Sequence, residues 1–181
     1  MTPELTDTLC TTCALCCDGS LLADVELSGR REVAALEILG LEVEDADAGH
    51  RGLLLLPCGA LHGTRCGIYP HRPACCRTFE CRLLQEVRRG TVDVGSAREK
   101  IAEALSRIAR IESLLVALGR RKERLPLKER CAEALMRSAE LPSDPTKDRT
   151  RDELEAAMTS LQSYLLATFM DPETSAGRRR R

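Results

Sequence analysis

Four cysteines stand within eight residues near the start of the chain, Cys10-x-x-Cys13-x-x-Cys16-Cys17, and no other feature limits so strongly what it can fold into. Gaps of two residues let a tight loop turn successive thiolates toward one centre while the intervening backbone N–H groups face the sulfurs. Cys58, Cys66, Cys75, Cys76 and Cys81 follow, so nine of the ten cysteines precede residue 82 of a 181-residue chain, and only Cys131 lies beyond. Thiols in such number act as ligands or form disulfides rather than serving as packing. Glu4, Thr6 and Asp7 introduce no apolar segment of a secretory signal. The longest apolar run, Leu53–Pro57, is far short of the ~18–20 residues that span a bilayer. The expectation is a cytoplasmic protein with no membrane association, whose cysteines stay reduced and take up metal.

Charge divides the chain in the same way as cysteine. The first 96 residues carry 9 basic and 14 acidic side chains, the remainder 18 and 14. Aromatic residues make up 2% of the sequence, so the core must be built from Leu, Ile, Val and Ala, a composition that favours helix packing over an aromatic-rich sandwich. The predicted fold is mainly α with a small β content. It comprises a metal-stapled, cysteine-rich N-terminal domain over residues 1–95, a three-helix region over 96–171 and a basic tail over 172–181.

In the second part, Ser96 and Glu99 read as a capping box that opens a helix through Ile101, Leu105, Ile108, Ile111, Leu115 and Leu118 to Gly119. A second helix fits Leu127 to about Leu141 behind Pro126, with Cys131 and Leu135 on one face. Pro142-Ser143-Asp144-Pro145 reads as a linker. Thr150 and Glu153 read as a second capping box before Leu154, Met158, Leu161, Leu165 and Phe169, with Asp171-Pro172 as the stop. In the first part, Ser28 is a candidate cap for a helix running to Gly40, and Leu53–Leu56 is a candidate strand. Cys66–Tyr69 can pair near Leu61 through a His62-Gly63-Thr64 turn, and a helix from about Glu80 to Arg89 ends at Gly90. Glu42–Gly49 reads as a solvated acidic loop, and the arginines of Gly177–Arg181 as a frayed tail.

The Cys-x-x-Cys-x-x-Cys spacing occurs in loops that hold cubane iron–sulfur clusters, where a remote cysteine completes the set; here Cys58, Cys66, Cys76 and Cys81 are the remote candidates. Zinc accepts four thiolates as well. The second group has no paired knuckle, which tilts the spacing toward iron–sulfur. Cys16 and Cys17 are neighbours whose side chains diverge in an extended stretch, so they serve two centres, or one ligates while the other packs. Cys131, on a core-facing helical position, reads as a small buried hydrophobe. His62 and His71 lie near the second group and are candidates to replace a thiolate, although a loop histidine is more often solvated; His50 is a weaker candidate.

Cys-x-x-Cys-x-x-Cys-Cys, then Pro57-Cys58, then Cys66-x-Ile68-Tyr69-x-x-Arg72-Pro73-x-x-Cys76-Arg77-x-Phe79-x-Cys81 together resemble the bacterial CxxCxxCC family of cysteine-cluster proteins, described as zinc- or iron-chelating. The resemblance covers roughly residues 10–90. It implies eight ligands, Cys10, Cys13, Cys16, Cys17, Cys58, Cys66, Cys76 and Cys81, with Cys75 a bystander or an alternative.

Arg72 and Arg77 are candidates to offset thiolate charge at the cofactor, or else to pair with Glu80 or Glu86. Tyr69 and Phe79 are candidates to screen the site from water, and Pro57 and Pro73 to fix the loops that enter it. Two tetrathiolate zinc ions and two [4Fe–4S] clusters leave the same net charge, so charge does not choose between them.

Three functions follow as expectations. One is a structural or electron-carrying metal protein that docks an unknown protein partner, or a second copy of itself, through its C-terminal helices. The second is an S-adenosylmethionine-dependent protein methylase, because one branch of the family is associated with flagellin lysine methylation. Those proteins are longer, and no Gly-rich nucleotide loop is present here. The third is metal storage, delivery or redox sensing. Scattered carboxylates give hydrolytic catalysis no support, and a net charge of −1 with few stacking aromatics argues against nucleic-acid binding.

Overall fold

The computed structural model describes residues 5–45, 52–120, 124–139 and 144–170. It is mainly helical, 61% helix against 9% strand, so the expected fold class holds. The chain divides into two compact units, one of Met1–Glu80 with Arg124–Pro126, the other of Cys81–Glu123 with Leu127–Arg181.

The first unit is assembled from short elements. Helix α1 (Leu5–Cys13) leads into a turn, then strand β1 (Asp24–Glu26), helix α2 (Arg30–Ile38) and strands β2 (Val43–Asp45) and β3 (Gly52–Leu55). The three strands form an antiparallel sheet in the order β1-β3-β2, with Val25 and Val43 both opposite Leu54. Strand β3 lies one residue ahead of the candidate Leu53–Leu56, and Leu54 is its buried side chain. β2 occupies the first part of the stretch expected to be a solvated loop. Three residues suffice there because β3 supplies the partner, and residues 46–49 lie outside the described part.

A two-residue connection, Gly63-Thr64, joins β4 (Leu61–His62) to β5 (Arg65–Cys66) and sets Leu61 opposite Cys66, the pairing the sequence suggests. Beyond Cys66 the expected strand does not continue. Tyr69–His71 forms a 3-10 turn, because Pro70 fixes a helical φ and removes a ladder donor. Helix α3 (Ala74–Thr78) follows. The unit's core gathers Leu9, Leu15, Leu27, Leu36, Leu54 and Leu56.

The second unit packs four helices, α4 (Arg82–Arg88), α5 (Val94–Ala117), α6 (Leu127–Ala139) and α7 (Pro145–Phe169), with α5 and α7 against each other and α4 and α6 beside them. Ile111, Leu115, Leu154, Leu161 and Phe169 are all fully buried. A buried ion pair joins α6 to α5, Arg130 donating through both terminal nitrogens to the Glu112 carboxylate at 2.6 Å. Tyr164 donates its hydroxyl to the Lys100 carbonyl and stands edge-on to Phe169.

The helix stops fall where glycine places them. Gly40, Gly90 and Gly119, each at positive φ, close α2, α4 and α5 with the same paired backbone bonds of the Schellman type, for example Arg120 N–H to the Leu115 carbonyl and Gly119 N–H to that of Val116. The helix starts differ from the sequence reading. Asp93, not Ser96, caps α5 by accepting from the Ser96 N–H, and the helix begins at Val94. Asp144 caps α7 through the Thr146 N–H with Pro145 as its first residue, so Thr150 lies within the helix and bonds back to the Thr146 carbonyl. Gly29 rather than Ser28 precedes α2, and Cys81 precedes α4. Residues 142–143, the Asp171-Pro172 stop and the basic tail lie outside the described residues, as does His50. Among the described residues no helix is long and apolar enough to cross a membrane.

Candidate metal centre

The first two cysteines of the leading motif sit on a helix rather than in a loop. Cys10 and Cys13 are three residues apart on α1, hence on one face, with Cys10 exposed and Cys13 half-buried. The turn comes at Ala14, whose φ of 58° is left-handed, a conformation rare for a residue with a side chain. Its N–H donates to the Cys10 carbonyl and its own carbonyl accepts from Cys17 and Asp18, which fixes the reversal. Cys16 and Cys17 lie in this turn, both half-buried. Alanine carries no sequence signal for such a turn.

The turn delivers Cys17 to the second cysteine group. The Cys58 N–H donates to the Cys17 carbonyl at 2.8 Å, just after the cis Leu56–Pro57 bond. Burial, and after it the charges of Cys58, Cys66, Asp18 and Cys10, together push the Cys17 thiol up to about 11. Cys58 is likewise raised, chiefly by burial and then by Cys66, against the Ala60 N–H and the Arg124 guanidinium, which favour its thiolate. Cys75 and Cys76 are neighbours on α3 and share a hydrogen bond. The Cys76 thiol donates, so Cys75 is held low and Cys76 high, and burial together with Cys17 and Cys58 adds to the rise at Cys76.

The Cys17, Cys58 and Cys76 thiols are therefore all held high by burial and by neighbouring cysteines, Cys10 and Cys66 among those neighbours. Cys81 opens the second unit at the head of α4. None of the ten cysteines forms a disulfide, and among the described residues no three metal-binding side chains are already gathered closely enough to hold an ion.

The donor set nevertheless suits a thiophilic metal. All but Cys10 of the nine thiols are half-buried, and a divalent cation or a cluster core displaces their protons and offsets the negative charge of the thiolates so formed. The two histidines are outward-facing, and the His62 ring packs over Gly67. Cys131 is buried on α6, its thiol pushed up to about 11 by burial, as expected of a core residue.

Arg72 lies over the Tyr69 ring at 3.6 Å and donates through Nε to the Tyr69 carbonyl. Arg77 is placed beside the Glu32 carboxylate, and both arginines line a cleft of about 570 Å³ along α2. Glu86 pairs instead with Arg82 at 2.9 Å. Tyr69 and Phe79 are half-buried.

Sequence reasoning missed two residues. Glu32 accepts from the Ser28 and Ala74 N–H groups, at 2.8 and 2.6 Å, and so ties α2 to the start of the helix that carries Cys75 and Cys76. Arg124 brings a guanidinium beside Cys58 from far along the chain.

Residues 9–103, just over half of the chain, match the model of a family named CxxCxxCC and described as "Putative zinc- or iron-chelating domain". No curated protein and no solved structure gives a significant match.

Proposed function

The chain belongs to the CxxCxxCC family of zinc- or iron-chelating cysteine-cluster domains, and from that premise we propose that it holds an iron–sulfur cluster on thiolates drawn from both cysteine groups. The observation that carries this reading is the Cys58 N–H bonded to the Cys17 carbonyl at 2.8 Å, because it joins the leading motif to one of the remote cysteines that its spacing requires. Cys10, Cys13, Cys16, Cys17, Cys58, Cys66, Cys76 and Cys81 are the ligands we assign, and [4Fe–4S] is the form that three thiolates at two-residue gaps with a remote fourth favour. Such a cluster supplies one-electron chemistry or a rigid staple. The residues of the chain hold it, limit water around it through the half-buried Tyr69 and Phe79, and set its charge environment. The role we assign is structural or electron-carrying, in the cytoplasm, with the helices of the second unit as the surface for a protein partner or a second copy.

Zinc is the alternative occupant, since the same thiolates satisfy a tetrahedral site and the family description names both metals. The deciding experiment is metal and acid-labile sulfide content of the full chain purified without oxygen, with an absorption spectrum of the same sample. Iron with equal sulfide and a broad band near ~400 nm that dithionite bleaches is the expected result. About two zinc ions per chain, colourless and without sulfide, would overturn the cluster and make the cysteines a scaffold.

A further inference from the structure

Between α5 and α6 the chain returns to the first unit for three residues, Arg124–Pro126. Two glycines mark where it lands. A side chain on Gly59, next to Cys58, would come within 3.0 Å of the Arg124 Nη2; a side chain on Gly19, two residues past Cys17, would come within 3.1 Å of the Pro126 Cα and 3.4 Å of Pro57. Gly19 also needs its positive φ of 79°. Pro126 is buried, and the Arg124 head rests on bare backbone. The segment thus straps across the two turns that present Cys17 and Cys58, and it lies outside the family match, which ends at residue 103.

We propose that Arg124 is the counter-charge of the thiolate centre, held in place by the Pro126 anchor and by the absence of a side chain at Gly59. This rests on the thiolate metal site proposed above. Arg72 and Arg77, which the sequence nominates for that task, are engaged with Tyr69 and Glu32. A fixed cation held against Gly59, the neighbour of Cys58, offsets the net negative charge that four thiolates leave on either occupant. Arg124 is a positioning and tuning residue, with no role as a ligand.

The test uses the full chain, made metal-free under reducing conditions and titrated with Co²⁺ as the probe, reading thiolate-to-metal charge-transfer absorption. Arg124→Gln is expected to weaken Co²⁺ binding about tenfold, the low end for a neighbour of metal ligands because the side chain is exposed. The gap should narrow as salt is raised. Arg124→Lys should recover most of the affinity, and Gly59→Ala, which keeps the charge but displaces the guanidinium, should fall between. Unchanged far-UV circular dichroism in all variants separates this from misfolding. Equal Co²⁺ affinity in wild type and Arg124→Gln would overturn the proposal while leaving the metal site standing, as would an equal loss in Arg124→Lys. A wild-type chain that gives no charge-transfer band would overturn the metal site itself and the proposal with it.

Discussion

The two units reach order by opposite means. The second buries long helices against one another and hides Phe169, Ile111, Leu115, Leu154 and Leu161 completely. The first has nine- and five-residue helices and strands of two to four residues, and eleven of its described core positions are leucines or smaller aliphatics surrounding half-buried thiols. Apolar burial can carry the second unit alone. In the first, short elements leave little to bury, and half-buried thiols that stay protonated without metal add few bonds of their own, so ligation is what staples the unit. The comparison teaches that the cysteines are a structural requirement of the unit that bears them as well as its chemistry.

Metal removal should break the comparison most visibly, because ligation contributes on the order of 10 kcal/mol in small zinc modules. A strong chelator under reducing conditions is expected to abolish amide-exchange protection across residues 5–80 while α5 and α7 keep theirs. Protection lost from both units in step with the metal would refute their independence.

The converse perturbation is smaller. Phe169→Ala opens a cavity at a residue 1% exposed and should cost the helical unit about 3–5 kcal/mol. Metal bound per chain should stay at the wild-type value, measured on the same samples as the thermal midpoint. A parallel fall in metal content would show that the helical unit supports the centre.

How much of this was legible in the sequence depends on the range of the interaction. Gly40, Gly90 and Gly119 announced three helix ends because a Schellman stop is a local event that glycine alone satisfies cheaply. Helix starts misled, since Ser96 and Thr150 match a capping box by residue type, whereas Asp93 and Asp144 outcompete them as charged acceptors one turn or more upstream. Pro145 was read as a breaker although the first helical position needs no N–H. Three-residue strands such as β1 are too short to show an alternation. The cysteine spacing named the family correctly. It offered Cys58 as one of four remote candidates without choosing among them, and gave no hint that Glu32 and Arg124 would attend the site, because those placements are products of tertiary packing.

Glu32 offers the finest test of how the first unit is held. Helix α3 has no side-chain cap of its own, Pro73 standing at its head, and Glu32 supplies one from forty-two residues away by accepting the Ala74 N–H. Burial raises its carboxyl, but the backbone donors at Ser28 and Ala74, with Arg77 beside it, outweigh that and hold it below the ordinary carboxylate range. A depressed folded value means the carboxylate stabilises the unit above about pH 4.3, its unfolded value, and the contribution fades as pH falls through the folded one. Glu32→Gln keeps one acceptor and loses the charge, so a cost of about 1 kcal/mol at neutral pH is expected, on the scale of a helix cap. The readout is the wild-type minus variant difference in unfolding free energy, followed together with exchange at the Ala74 amide. That difference should be constant near neutrality and vanish in acid, since a protonated Glu32 and a glutamine are electrostatically alike. A difference that persists unchanged below the folded value would mean that Glu32 acts through shape alone, and α3 would then owe its place to the cysteines it carries.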